Sequence, residues 1–339
     1  MTSLYVDHHG IEMRVDGGAL AFYDDSKRVG TVPLAPLERI FLRGDVHFSA
    51  GVLSKLGERD IGVIIIGGIK SEVRLLMRRL HNDTHRRLVQ YRHADNADFR
   101  LHYARLLIRD KLAAQHHFLN TLRDAHPAQR HTLTQSITRL ADLLEQRLPQ
   151  TDNVESLRGV EGTGANAYFT GLAAVLPASL NFHGRNRRPP RDPFNALISL
   201  GYTLLYSEAV LALHGAGLDP GIGFLHEPAF GRESLACDVM EPLRTTVDEF
   251  ALYLLAQQIL RADDFNITEA GCLLDKAGRQ HFYEHYETQA AQLRHGLAAQ
   301  ISALGQELTG QPFDTCQITN PLAPAPLQED DHDGSSDLL

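Results

Sequence analysis

The spacing of apolar residues changes once along the chain, and this change limits the possible folds more than any other feature. Before Gly68, apolar residues alternate with polar ones or form short runs such as Ile61–Ile66, which is typical of β-strands. After Gly68 they recur every three or four residues, which predicts helices. We therefore predict an α+β fold, in which a small N-terminal β-sandwich-like domain (residues 1–69) precedes a larger all-α domain (residues 70–310).

Turn residues and helix breakers locate the individual elements. The sequence Asp16-Gly17-Gly18 predicts a tight turn between paired strands at Ile11–Val15 and Ala19–Tyr23. Leu75 and Leu76 are assigned to the start of the helical region. Longer helices are predicted at Leu133–Leu148, Val154–Leu176, Phe194–His214, Asp238–Arg261 and Gln280–Leu304. Residues 311–339, which are rich in proline and acidic residues, are predicted to form a disordered tail.

Several classes of protein are excluded by the sequence. The three cysteines, Cys237, Cys272 and Cys316, are far apart and form no Cys-x-x-Cys motif, so neither a disulfide scaffold nor a zinc cage is supported. The first residues have neither the basic nor the long apolar segment of a secretory signal. No unbroken apolar run is long enough to cross a bilayer. We expect a soluble cytoplasmic protein without a membrane partner.

The charge of the chain is unevenly distributed. The formal net charge is −9, from 33 Lys and Arg against 42 Asp and Glu. Residues 70–147 contain 15 basic and 8 acidic residues, a local balance of +7 that leaves −16 for the rest. A polyanion responds to the charge of one face rather than to the net charge, so a nucleic-acid partner remains possible. The alternative is that the arginines lie on solvated helix faces.

One segment, residues 221–244, combines an imidazole with carboxylates. His226 follows a glycine-rich apolar approach, and Asp238 and Glu241 lie three positions apart in a predicted helix. Imidazole and carboxylate oxygen together suit Mn²⁺ or Mg²⁺ better than zinc. The alternative is structural: Asp238 caps the helix, Glu241 stands at its third position, and His226 is an ordinary loop residue.

A further carboxylate, Glu161, lies in a predicted helix beside Gly162 and Gly164. Small residues at this point would let another segment of backbone or a phosphate approach closely. The local sequence resembles a dinucleotide-binding fingerprint, but no strand precedes it and no βαβ unit surrounds it, so we reject that match.

An arginine-rich loop with flanking prolines precedes the predicted helix at Phe194. It contains four arginines within seven residues, which is typical of a segment that contacts phosphates: Arg185, Arg187, Arg188 and Arg191. The alternative is a solvated surface loop. Tyr168 could contact DNA by stacking or through its hydroxyl, although an aromatic residue within a helix is also typical of a core.

Together these segments resemble the integrase family of CRISPR adaptation, CRISPR-associated protein one, over roughly residues 1–305. The resemblance rests on several motifs in the family's order. They are the helical segment 105–111, Gly159-Val-Glu-Gly162, the arginine-rich loop with Asp192-Pro-Phe-Asn195, residues 197–206, Leu218–His226 and Leu235–Arg244.

The resemblance implies a metal-dependent DNA endonuclease and integrase that inserts protospacer DNA into a repeat array. It assigns Glu161, His226 and Glu241 as ligands of Mg²⁺ or Mn²⁺, with Asp238 as an additional acidic residue of the catalytic site. Residues 70–310 would then be the catalytic domain, and residues 1–69 would pair two copies into a homodimer. The implied partners are double-stranded DNA, both protospacer and repeat array, and the small second CRISPR adaptation protein.

Two other functions remain open from the sequence. One is a non-catalytic DNA-binding assembly subunit, against which the three retained ligand residues argue. The other is a metal-dependent phosphodiesterase acting on small substrates, which would not need an extended basic region. A requirement for duplex or branched DNA, as opposed to a mononucleotide, distinguishes them.

Overall fold

A computed structural model describes residues 3–67, 73–76, 81, 83–186 and 189–313, with the backbone alone for 73–76. Arg187, Arg188 and most of the predicted acidic tail lie outside the described residues. The strands are β1 (Ser3–Asp7), β2 (Ile11–Asp16), β3 (Ala19–Asp24), β4 (Lys27–Pro33), β5 (Arg39–Arg43), β6 (Val46–Phe48), β7 (Gly62–Ile66), β8 (Val73–Leu76), β9 (Phe265–Thr268) and β10 (Gly271–Leu274). The α-helices are α1 (Ala50–Glu58), α2 (Thr84–Ala94), α3 (Ala97–Ala125), α4 (Arg130–Asp142), α5 (Val154–Val175), α6 (Pro193–Gly215), α7 (Ser234–Met240), α8 (Arg244–Ala256) and α9 (Lys276–Thr309).

The N-terminal region contains two four-stranded sheets, ordered β1-β5-β7-β8 and β4-β3-β2-β6. Apolar side chains from both sheets and from α1 meet in one core, which confirms the predicted sandwich-like arrangement. The predicted hairpin is also confirmed: Asp16 pairs with Ala19, and Gly17 takes a φ of +60° in the two-residue turn.

The first sheet is covered on both faces, which explains its apolar sequence. In β5, Ile40 faces the sandwich core and Phe41 faces the helical core. In β7, Val63 faces the sandwich core and Ile64 faces the helical core. Strands covered on both faces read as continuous apolar runs rather than as alternating sequence. The run Ile61–Ile66 is therefore a buried strand, as predicted.

Helices dominate the remainder, and α6 lies at their centre with most of its residues buried. Among the described residues, α6 is the single helix that is long and apolar enough to cross a membrane by length and composition. Within that apolar window 67% is buried inside the protein, which is the pattern of a core helix.

Three predictions of secondary structure are wrong. Leu75 and Leu76 belong to β8, an antiparallel strand beside β7. Two adjacent apolar residues are compatible with both the helical and the strand period, so pairing with β7 determines that this segment is a strand. The helix predicted at Asp238–Arg261 is broken by a 3-10 turn at Glu241–Leu243, where Pro242 has no backbone N–H to donate. The predicted all-α region also contains the β9–β10 hairpin.

Buried ion pairs join the sheets to the helices. Glu208 of α6 accepts a hydrogen bond from Arg39 of β5 at 2.7 Å and from Arg294 of α9 at 2.9 Å. Arg294 also donates to Ser3 at 2.7 Å. Glu208 thereby bridges two buried arginines and fixes α6 and α9 against the first sheet. Each arginine has a second carboxylate partner, Glu38 for Arg39 at 2.8 Å and Glu287 for Arg294 at 3.2 Å.

Candidate active site

Lys111 of α3 lies between two carboxylates from distant parts of the chain. Its Nζ donates to Glu161 Oε1 at 2.6 Å and to Glu241 Oε2 at 2.7 Å. The side chains of Lys111 and Glu241 are 8% and 4% exposed, whereas Glu161 is 21% exposed. Burial alone would lower the pKa of Lys111, but Glu241 and Glu161 more than offset this and raise it. Two predicted site residues are thus brought together around a charged ammonium group that was not predicted.

Glycines in α5 bring Glu161 close to this lysine. A Cβ on Gly164 would lie 2.3 Å from Leu112 Cδ2, and one on Gly171 would lie 2.9 Å from Leu119 Cδ1. Because only a hydrogen occupies these positions, α5 packs closely against α3, and Lys111 faces Glu161 one turn before Gly164. The interpretation that small residues beside Glu161 allow a close approach therefore holds at Gly164, where the neighbour is the Leu112 side chain, whereas among the described residues nothing lies within 4 Å of a Cβ on Gly162.

Glu241 occupies the 3-10 turn between α7 and α8. Its Oε1 accepts from Arg244 Nε at 2.9 Å, and its Oε2 accepts from Lys111. Burial alone would raise the pKa of this carboxyl, but Arg244 and Lys111 outweigh burial and lower it to about 2. The carboxylate is therefore charged at neutral pH despite being buried.

Asp238 holds His226 and the loop before it in place. Its Oδ2 accepts the backbone N–H of Phe224 at 2.6 Å and of Leu225 at 3.0 Å. Its Oδ1 lies 3.0 Å from the backbone nitrogen of His226 and 2.7 Å from its Nδ1. The alternative that Asp238 caps a helix is wrong, because it lies inside α7 and is completely buried.

These contacts give Asp238 a positioning role rather than that of a metal ligand. A carboxylate bound to one ring nitrogen fixes the orientation of the imidazole and leaves the other nitrogen, Nε2, for a metal or substrate. The packing is tight: a Cβ on Gly223 would lie 2.7 Å from the His226 carbonyl oxygen and 2.8 Å from Asp238 Oδ2. Position 223 therefore requires a glycine, because any larger residue would disturb the contacts between this loop and Asp238.

The donor types fit the metals expected from the sequence. Two carboxylates and an imidazole suit Mn²⁺ or Mg²⁺. Among the described residues, no three His, Cys, Asp or Glu side chains already converge as a metal cluster. The ammonium of Lys111 instead bridges Glu161 and Glu241. A cation is already stabilised by these two carboxylates, and a divalent ion would have to exchange with it.

The predicted DNA-contacting residues have different environments. Arg185 is half-buried and donates to Asn195 Oδ1 at 2.8 Å and to Ser199 Oγ at 3.2 Å. Its guanidinium is thus engaged within the protein, which does not favour the prediction of a phosphate contact. Arg191 is exposed and available to a phosphate. The predictions for Arg187 and Arg188 fall outside the described residues.

Tyr168 is not placed to contact DNA. The side chain is completely buried, and its hydroxyl donates to Asp248 Oδ2 at 3.0 Å. Asp248 also accepts from the Tyr202 hydroxyl at 2.5 Å. Burial raises the pKa of Asp248 to about 6, although both hydroxyl groups oppose this. Tyr168 therefore belongs to a buried polar cluster, in agreement with the alternative that an aromatic residue within a helix is part of the core.

Comparison with protein families gives a match over most of the chain. The profile of the family described as "CRISPR associated protein Cas1" matches residues 4–288. The chain is 37% identical over 300 residues to "CRISPR-associated endonuclease Cas1 1" of Thermodesulfovibrio yellowstonii, covering 87% of this chain and 93% of the relative. It is 30% identical over 316 residues to "CRISPR-associated endonuclease Cas1 2" of Rhodospirillum rubrum, covering 90% and 91%.

Solved structures share the fold. A CAS1 protein from Thermotoga maritima superimposes with a TM-score of 0.78 at 24% identity, over 92% of this chain and 98% of the other. A "Casposase bound to integration product" gives 0.77 at 21% identity, over 95% and 94%. A chain of a "Cas6-RT-Cas1--Cas2 complex" gives 0.75 at 24% identity, over 93% of this chain and 36% of that longer chain. These similarities confirm a β region followed by a mostly helical domain.

Proposed function

Because this chain belongs to the Cas1 family of CRISPR-associated proteins, we propose that it is a divalent-metal-dependent DNA endonuclease and integrase of CRISPR adaptation. In this reaction the 3′-hydroxyl of spacer DNA attacks a phosphodiester of the repeat, and the 3′-oxygen of the repeat strand leaves. The observation that carries the proposal is the meeting of Glu161 and Glu241 at Lys111, together with the imidazole of His226 that Asp238, three residues before Glu241, holds in place.

The residues of the chain have distinct parts in this proposal. Glu161, Glu241 and Nε2 of His226 would hold Mg²⁺ or Mn²⁺, and Asp238 would orient the imidazole. When bound, such an ion polarises the scissile phosphate and lowers the pKa of the attacking hydroxyl. Arg244 keeps Glu241 ionised by its contact at 2.9 Å. The phosphodiester transfer needs no covalent nucleophile from the protein.

Several features support DNA as the substrate. A groove of about 590 Å³ lies between α4 and α5; Gly162 and Thr163, which follow Glu161 in the chain, line it, whereas Glu161 itself faces Lys111 of α3. Its lining is rich in hydroxyl and amide groups, which commonly contact sugars and phosphates. We propose that the groove accepts the DNA backbone and that Arg191, with Arg187 and Arg188, contacts phosphates.

The proposed assembly follows the structural neighbours. One of them is a chain of a Cas6-RT-Cas1–Cas2 complex, and another is a casposase bound to its integration product. We propose that this chain acts with the corresponding second adaptation protein, that two copies pair through residues 1–69 into a homodimer, and that the complex acts in the cytoplasm.

An integration assay tests the proposal. A labelled duplex with free 3′-hydroxyls is incubated with the second adaptation protein and a supercoiled plasmid carrying a repeat array, in Mn²⁺ or in EDTA. We expect joining by the wild type in Mn²⁺ alone, and none by the Glu161→Ala or His226→Ala variants. Glu155→Ala is the matched control, because Glu155 is an exposed glutamate of the same helix. Circular dichroism verifies that each variant is folded.

The other outcomes identify the alternatives. DNA binding without joining or cleavage by the wild type would favour a non-catalytic assembly subunit. Metal-dependent hydrolysis of a mononucleotide ester without any joining of duplex DNA would favour a small-substrate phosphodiesterase. Joining by Glu161→Ala at the wild-type rate would refute the assignment of the site.

A further inference from the structure

Phe230 lies at the tip of a loop that starts directly after His226. Its relative exposure is 110%, the highest of the large apolar side chains among the described residues. Single exposed apolar residues are common on protein surfaces and need no explanation by themselves. The loop and the surroundings of Phe230 distinguish it from such residues.

The loop holds Phe230 in a defined position. The N–H of Arg232 donates to the Ala229 carbonyl at 3.1 Å, so Phe230 and Gly231 are the central residues of a tight turn. Gly231 has a φ of +71°, a conformation that favours glycine at this position. The turn therefore projects the phenyl ring into solvent by its own geometry.

Side-chain contacts brace the base of the turn. Arg232 donates through its guanidinium to the carbonyl of Glu227. The hydroxyl of Ser234 donates to the same carbonyl at 2.8 Å. The two ends of the loop are thus tied together, and the loop that carries the ring begins directly after His226, which Asp238 holds.

Basic side chains surround the base of this loop. Arg100 and Arg158 lie 3.7 Å and 3.9 Å from Glu227 Oε1. Arg158 also donates to the carbonyl of Leu225 at 3.0 Å. Two arginines therefore flank the loop that carries the exposed ring. Proteins that bind single strands or unpaired ends use this combination, in which cationic groups follow the phosphates and an aromatic ring stacks on a base.

We propose that Phe230 stacks on a nucleobase of the DNA strand whose phosphodiester or 3′-end occupies the active site. The inference rests on the proposed function, because it takes DNA to be the substrate. The stacked base would fix the register of the strand relative to His226. Since every base has an aromatic face, this contact recognises position along the strand rather than sequence.

Phe230→Ala, Phe230→Trp and the wild type distinguish this contact from others. DNA binding is measured by fluorescence anisotropy in EDTA, with duplexes that carry short unpaired 3′-ends. Stacking of one base predicts that Phe230→Ala weakens binding by about tenfold. Phe230→Trp should bind at least as well as the wild type. The dependence of affinity on salt should not change, because no phosphate contact is removed. Tyr253→Ala is the matched control, an exposed aromatic on α8.

An abasic scan locates the partner of the ring. Each nucleotide of the unpaired end is replaced in turn by an abasic one. We expect one position at which removing the base weakens binding to the wild type by the same factor as the Phe230→Ala substitution does. At that position, removing the base should not weaken binding to Phe230→Ala any further. Joining by Phe230→Ala should recover when DNA is raised about tenfold to compensate for its weaker binding.

Two results would overturn the inference. The first is that Phe230→Ala and the wild type bind DNA with equal affinity and that no abasic position weakens binding to the wild type alone. The other is unchanged DNA binding with lost binding of the second adaptation protein, which would assign the ring to a protein contact. In both cases the wild type still joins DNA in the integration assay, whereas failure of the proposed function would abolish joining by the wild type itself.

Discussion

Replacing Lys111 with methionine tests the electrostatic arrangement on which the site depends. The substitution keeps the length and the apolar part of the side chain and removes the ammonium group. In the structure this group pairs with both Glu161 and Glu241, at 2.6 Å and 2.7 Å. Without it, two neighbouring carboxylates face each other, and among the described residues Arg244 is the cation that still pairs with Glu241.

The size of the effect follows from burial. Removing one partner of a buried ion pair costs about 3–5 kcal/mol of folding free energy. Glu161 is 21% exposed, and Glu241 keeps Arg244 at 2.9 Å, so part of the charge stays solvated or paired. We therefore expect Lys111→Met to lower the free energy of unfolding by about 2–3 kcal/mol without divalent ions. Excess Mn²⁺ should reduce the deficit, because a cation bound by these carboxylates replaces the lost charge.

Urea unfolding in EDTA and in Mn²⁺ measures both effects without any assay of activity. Lys55→Met is the matched control: Lys55 donates to Glu58 at 2.6 Å, but both side chains are more than half exposed. Such a surface pair contributes about 0–1 kcal/mol. A deficit for Lys111→Met no larger than that of the control, or one that grows in Mn²⁺, would contradict the reasoning.

Three further variants test neighbouring features. Asp238→Asn should lower the rate of strand transfer about 10- to 100-fold while His226 remains, because the ring loses its orienting carboxylate; single-turnover joining measures this. Gly223→Ala should destabilise the protein by about 1–3 kcal/mol in urea, since its Cβ would lie 2.7 Å from the His226 carbonyl oxygen. Asp248 has a pKa of about 6 against an ordinary value of 3.8, so the folded state binds more protons between these pH values. Stability of the wild type relative to Asp248→Asn should therefore fall by about 3 kcal/mol as the pH rises from 3.5 to 6.5, and a pH-independent difference would contradict this.

The fold was predictable where local sequence and burial agree. The hairpin turn at Gly17 and the boundaries of α5 and α6 follow from turn residues, caps and periodicity within short windows. Asn153 and Asp192 accept the N–H groups that begin these two helices. β8 could not be predicted in this way, because four residues cannot establish a period and their partner β7 decides their structure. The change in apolar spacing at Gly68 indicated the order of the two regions, but it did not indicate this strand.

At the candidate site, the sequence indicates which residues have suitable donor atoms, whereas the contacts of Lys111 and Asp238 are determined by packing. Glu161, His226 and Glu241 could be selected because carboxylates and imidazole are the chemically suitable donors and because family motifs surround them. The role of Lys111 depends on contacts 50 and 130 positions away in the sequence, and its own helix gives no sign of them. For Asp238, the sequence indicates a role that its contacts do not support. Its spacing from Glu241 fits a shared metal site, yet both its oxygens are occupied by the loop that ends in His226. The type of a side chain therefore limits what it can bind, but the contacts of its own atoms decide whether it binds the metal or positions another residue.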